Sequence, residues 1–193
     1  SLYMRNDLAE AIESLSKVAG PDDKLTQNAA YHLGGAYLRT GDKHKAMQSF
    51  SMASGTDYDP AVKEDALFNY GKLQYELGGG VFNEAINILS RYLAEYPSST
   101  RATQAREFLI AAYYNSKNYE AAYEAIKLVP NPDNNLRADF QKIAYFRALE
   151  YYNDGNLDTA YSMLEESLRN RFTSKYTALT QFWKAEILYR RGN

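Results

Sequence analysis

Along this chain a small residue is repeatedly followed, one helical turn later, by a large apolar one: Ala11/Leu15, Ala46/Phe50, Ala85/Leu89, Ala122/Ile126 and Ala160/Leu164. Consecutive alanines of this series lie 35, 39, 37 and 38 residues apart. A second series, Gly34, Gly71, Ile110, Ala148 and Ala185, is spaced by 37, 39, 38 and 37. A fixed period of this length is the mark of a repeat architecture. Between the two series lie turn signals: Gly41-Asp42, Gly78-Gly79-Gly80, Lys117-Asn118, Gly155-Asn156 and Gly192-Asn193. The flanking segments follow a period near 3.6 residues, as in Leu67, Tyr70, Leu73, Gln74 and Leu77, or Ile143, Phe146, Arg147, Leu149 and Tyr151, with Gln74 and Arg147 as polar exceptions. Each repeat is therefore a helical hairpin.

The pattern predicts an all-α chain. A first helix ends near Arg5 with a turn at Asn6-Asp7. Further helices are expected near 7–19, 24–40, 43–54, 61–77, 82–95, 100–116, 119–129, 136–153, 157–169 and 174–191. The prolines, Pro21, Pro60, Pro97, Pro130 and Pro132, all fall outside these segments, where a missing N–H costs nothing. The expected organisation over 1–193 is one array: a partial repeat at 1–19, repeats at 24–60, 61–99, 100–135 and 136–173, and a partial or capping helix at 174–193. The pattern at both ends is that of a segment cut from a longer repeat protein.

The run Tyr31-His-Leu-Gly34-Gly-Ala-Tyr37-Leu-Arg-Thr-Gly41-Asp42, continued by Ala46, Phe50 and Ala53, resembles the tetratricopeptide repeat. That resemblance implies hairpins with a period of about 37–39 residues stacked as a right-handed α-α superhelix, the solenoid of that family. Three departures stand out: a two-residue insertion at Gly78–Gly80, and Ile110 and Ala148 where the family places a packing glycine. The string Phe82-x-x-Ala85-Ile86-x-x-Leu89-x-x-Tyr92-Leu93-x-x-Tyr96-Pro97-x-Ser99 is similar to repeats of bacterial cell-envelope members, of the outer-membrane assembly lipoprotein and Tol–Pal coordinator type. It implies a periplasmic or outer-membrane-associated protein, with the cytoplasm as the alternative.

Composition narrows the chemistry. Lys and Arg number 22 against 24 Asp and Glu, the formal charge is −2, and no basic block stands out, so nucleic acid and anionic membranes are not expected partners. No apolar run approaches the ~20 residues of a membrane span. With no Cys, thiolate metal sites and cysteine nucleophiles are excluded. His32 and His44 have no His or carboxylate at i+3 or i+4 to share a metal, and no nucleophile turn accompanies Ser49 or Ser51. No Lys-Ser/Thr follows the glycines at 78–80, as a phosphate loop would need. An enzyme, a metal and a cofactor are thus not expected.

Tyr is the unusual residue, with 18 copies. In the resembled family the first helix of each hairpin lines a concave groove. The matching positions form two columns, Leu38, Tyr75, Tyr114, Tyr152, Tyr189 and Tyr31, Phe68, Glu107, Tyr145, Phe182, with Lys72 beside them. Tyr combines wide apolar area, a hydroxyl and low side-chain entropy, which suits recognition of a protein or peptide. Packing between neighbouring first helices would explain the same rings. The Lys/Asn clamp with which some family members hold acidic chaperone tails is not reproduced at Tyr31/Gly35, Phe68/Lys72 and Glu107/Ala111. The leading expectation is a non-catalytic protein-interaction scaffold. The alternatives are a glycan or small-ligand module, and a purely architectural segment self-associating end to end through the apolar helix 174–191.

Overall fold

The computed structural model describes residues 2–17 and 23–192, with side chains from residue 9 onward. Its described residues form ten α-helices and no strand: α1 (Leu2–Ser16), α2 (Lys24–Thr40), α3 (Lys43–Ser54), α4 (Pro60–Leu77), α5 (Asn83–Glu95), α6 (Ala102–Asn115), α7 (Tyr119–Lys127), α8 (Asn134–Asn153), α9 (Leu157–Arg169) and α10 (Ser174–Arg190). The chain divides into two compact units, residues 1–108 and 109–193. Pro21 and the end, at 18–19, of the helix expected over 7–19 lie outside the described residues.

The helices follow the expected hairpins closely, because the turn chemistry is regular. In three hairpins a left-handed residue ends the first helix and an Asx side chain starts the second. Gly41 (φ 84), Lys117 (φ 61) and Gly155 (φ 78) take the left-handed conformation, which allows a Schellman-type return of the chain. The next N–H, of Asp42, Asn118 or Asn156, reaches the carbonyl of Tyr37, Tyr113 or Tyr151 at 2.9 Å in every case. The side chain of each Asx then accepts the N–H of Lys45, Ala121 or Thr159 at 3.1 Å, satisfying one of the orphan donors of the new helix. The Gly78–Gly80 insertion breaks this pattern: α5 begins after Phe82 with no side-chain cap.

After α1, the described boundaries lie within two residues of expectation, with α6 starting at Ala102 instead of 100 and α8 at Asn134 instead of 136. Two differences, in α1 and α7, have a plain physical cause. No turn forms at Asn6-Asp7, and α1 runs through both residues. Each costs less than about 0.7 kcal/mol inside a helix, too little to end one. Helix α7 stops at Lys127 instead of 129, because Val129 precedes Pro130 and is biased away from the α region.

The two apolar series meet in the core of each unit. Ala46, Ala85, Ala122 and Ala160 are buried, as are Phe50, Leu89, Ile126 and Leu164. A Cβ on Gly34 would lie 2.8 Å from the Phe50 ring, and one on Gly71 2.9 Å from Leu89. These two positions let facing helices approach at a distance that alanine would obstruct.

Two buried glutamines, Gln27 and Gln141, tie the loops between hairpins. In the first unit Gln27 Nε2 donates to the carbonyls of Ala53 (3.1 Å) and Thr56 (2.9 Å), and its Oε1 accepts the Asp59 N–H at 2.7 Å. In the second, Gln141 Nε2 donates to Thr177 Oγ1 at 3.0 Å, and its Oε1 accepts the N–H groups of Phe172 (3.1 Å) and Thr173 (2.8 Å). Both lie in the first half of a first helix and latch the loop that follows the second.

Candidate functional site

The register of the turns fixes one of the two predicted columns. The N–H of the left-handed turn residue bonds the carbonyl of Leu38 (3.2 Å), Tyr114 (3.0 Å), Tyr152 (3.1 Å) and Tyr189 (3.0 Å) from Gly41, Lys117, Gly155 and Gly192 respectively. These four side chains therefore leave their helices at equivalent points. Tyr75 sits at the corresponding place in α4, before the expanded glycine turn.

In the first unit most of the candidate face is engaged internally. The Tyr31 hydroxyl donates to Asp65 Oδ2 at 2.8 Å, Asn69 Nδ2 reaches the same oxygen at 2.9 Å, and Arg101 ion-pairs with Asp65. Burial, then the bond to Asp65, raises the Tyr31 pKa. Tyr75, half-buried, has its ring centroid 5.6 Å from that of Phe108 and 5.7 Å from that of Phe82. Lys72 lies 3.9 Å from Glu76 and 6.0 Å from the Phe108 centroid. Leu38 and Glu107 are exposed. Phe68 corrects the sequence reading: only 4% exposed, it packs beneath the Arg101 guanidinium and against Tyr92, so no partner reaches its ring.

The second unit keeps more of its face open. Tyr114, Tyr152 and Tyr189 come from α6, α8 and α10. The Lys142 ammonium sits 4.2 Å from the Tyr114 centroid, and the Arg190 guanidinium 4.7 Å from that of Tyr152, both within cation–π range. Glu186 accepts from Arg190 Nε at 2.8 Å and from the Tyr152 hydroxyl at 3.3 Å. Arg190 is the main reason that the Glu186 pKa is lowered. Tyr189 is 80% exposed and Phe182, seven residues earlier on the same helix, 62%. Tyr145 corrects the reading in the same way as Phe68. It is 5% exposed, and its hydroxyl accepts the Trp183 indole N–H at 3.1 Å, which makes it part of the packing between α8 and α10.

Burial pushes the Tyr114 pKa up to about 12, with the nearby Tyr176 and Tyr119 adding to it. Together these groups offer ring faces, hydroxyls and two cations in one surface, which suits contact with a folded or extended polypeptide. Among the described residues no group of three His, Cys, Asp or Glu could hold a metal ion. Glu186 and Arg190 were not among the predicted site residues, although their i, i+4 spacing in α10 is the ordinary signal for a helical ion pair.

Residues 65–99 match the model of the tetratricopeptide repeat family, over the second predicted repeat. No curated protein matches the chain in sequence. Among solved structures, the crystal structure of MamA is similar over 87% of this chain and 91% of that one, at 20% identity and a TM-score of 0.50. This likeness shows the fold, a tetratricopeptide-type α-solenoid. The crystal structure of BtubC (BKLC) from P. vanneervenii aligns over 97% of this chain and 82% of that one, at 14% identity and a TM-score of 0.44.

Proposed function

We propose that the protein is a non-catalytic interaction scaffold that binds a protein or peptide partner on the faces that the first-in-pair helices form within its units. The observation that carries this reading is the second unit's row of Tyr114, Tyr152 and Tyr189, set in register by the turns and flanked by Lys142 and Arg190. Interface hot spots are enriched in Tyr, Trp and Arg, and the row supplies the first and last of these on rigid helices. In the first unit Leu38, Lys72, Tyr75 and Glu107 are the positions accessible for the same purpose. The envelope-type string at Phe82–Ser99 supports a periplasmic or outer-membrane-associated role.

A thermal-shift screen against peptide and oligosaccharide libraries tests the class of ligand, since anything that binds only the folded chain raises its melting temperature. Stabilisation by peptides supports the scaffold. Stabilisation by oligosaccharides alone overturns it in favour of a glycan-binding module, which stacked Tyr rings with Asn and Gln neighbours would also serve.

A further inference from the structure

The loops at the other end of the second unit's hairpins carry a surface unrelated to the Tyr row. Between the end of α7, the start of α8 and the end of α9 lies a cavity of about 290 Å³. Its floor is apolar, built from the buried Ile126, Val129 and Leu136 with half-buried Phe140. Lys127 and Arg137 stand at its rim. An adjoining cavity of about 210 Å³ shares Arg137 and Asn170 with the first and is lined further by Arg169, Arg171 and Phe172. The two cavities thus bring together four cations against one carboxylate, Glu166.

The existing pairings leave positive charge over. Glu166 is 3.2 Å from Arg169, and Lys127 3.2 Å from Glu124 outside the cavities. Arg137 and Arg171 make no ion pair with any described residue. The loop that presents Arg171 is held in place, because the N–H groups of the next two residues, Phe172 and Thr173, are bound by Gln141. Phe172 itself remains 46% exposed. A chain of net charge −2 thereby gathers, from separate stretches of sequence, a fixed set of unneutralised guanidiniums beside an apolar hole.

We infer that this inter-hairpin edge is a second docking site, for a short acidic peptide segment carrying one large apolar side chain. The apolar side chain fills the 290 Å³ cavity, which lies at the lower limit of ligand clefts, about 300 Å³, and has room for one or two side chains. Flanking carboxylates pair with Arg137 and Arg171, whose planar guanidiniums suit two-point recognition of carboxylates. A nucleic acid would use the charges but leave the apolar floor uncovered, and beyond the patch it would meet a surface with no basic excess.

A random dodecapeptide phage library panned on the full chain at low salt provides the test, with enriched peptides synthesised and measured by fluorescence anisotropy. The expected pool is rich in Asp and Glu around a Leu, Phe, Met or Trp. Its peptides bind at least about tenfold more weakly to Arg137→Glu/Arg171→Glu and to the neutral pair Arg137→Gln/Arg171→Gln. They bind unchanged to Tyr152→Ala/Tyr189→Ala, which separates this site from the Tyr row. Both arginines are exposed, so the variants should keep the wild-type circular dichroism. The inference is overturned by a pool without acidic enrichment, by acidic peptides that bind the charge-reversed chain equally, or by a dT12 oligonucleotide that binds more tightly than any selected peptide.

Discussion

The side-chain carbonyl of the fully buried Gln141 accepts the backbone N–H of Thr173 at 2.8 Å, 32 residues away along the chain. The same oxygen takes the N–H of Phe172 and the hydroxyl of Thr173. Removing it leaves three partly buried donors without their acceptor, at about 1–3 kcal/mol for a stranded group. Gln141→Leu, of similar volume, should therefore lower stability by about 2–3 kcal/mol, read as a reduced urea midpoint. An unchanged midpoint would show that the loop does not depend on the latch.

The neighbouring glycines of α2 should respond with opposite signs. Gly34→Ala drives a Cβ to 2.8 Å from the buried Phe50 ring, and overpacking of this kind costs about 1–3 kcal/mol, more than the helix propensity gained. Gly35→Ala has nothing within 4 Å and should stabilise by about 0.5–1 kcal/mol. Thermal melts of the two variants check both signs, and a stabilised Gly34→Ala would refute the close approach of α2 and α3.

Lys117 does at φ 61 what glycine does at the equivalent turns. Lys117→Gly should relieve the left-handed strain of a residue with a Cβ and raise stability by about 0.5–1 kcal/mol. Chemical denaturation measures this directly.

Alkali should reveal the partly buried rings. Tyr114, with its pKa pushed up to about 12 from an ordinary value near 10, holds its proton more tightly folded than unfolded. The resulting stabilisation is fully present below about pH 10 and is lost as pH rises through about 12. Tyr119, Tyr123 and Tyr145 are shifted in the same direction, chiefly by burial. Absorbance at 295 nm should show a late-ionising class of tyrosines, reduced by Tyr114→Phe, and urea midpoints should fall only above about pH 10.

The helices were legible because their signals are local: Ala46 with Phe50, and Gly41 before Asp42. Pro60, read as lying between helices, is instead the first residue of α4, where its missing N–H costs nothing. The site was legible only in part. Sequence spacing puts Phe68 and Tyr145 in the same column as Phe182, but whether a ring is covered depends on neighbours such as Arg101 or Trp183, which repeat spacing alone does not assign. The same limit hid the glutamine latches, since Gln27 and Gln141 look like ordinary polar helix residues until the loops they bind are placed beside them. Arg137, Arg169 and Arg171 form no run in the sequence, and only the meeting of α8 with the loop after α9 makes them a patch.

The Tyr row of the second unit carries the proposed interaction. A binder selected on the full chain in 500 mM salt, where screening suppresses the arginine edge, should be titrated by calorimetry into wild-type protein and into Tyr152→Ala/Tyr189→Ala. The account predicts an affinity at least about 30-fold weaker for the variant, or about 2 kcal/mol, with helical circular dichroism unchanged. Equal affinity for both proteins would contradict it.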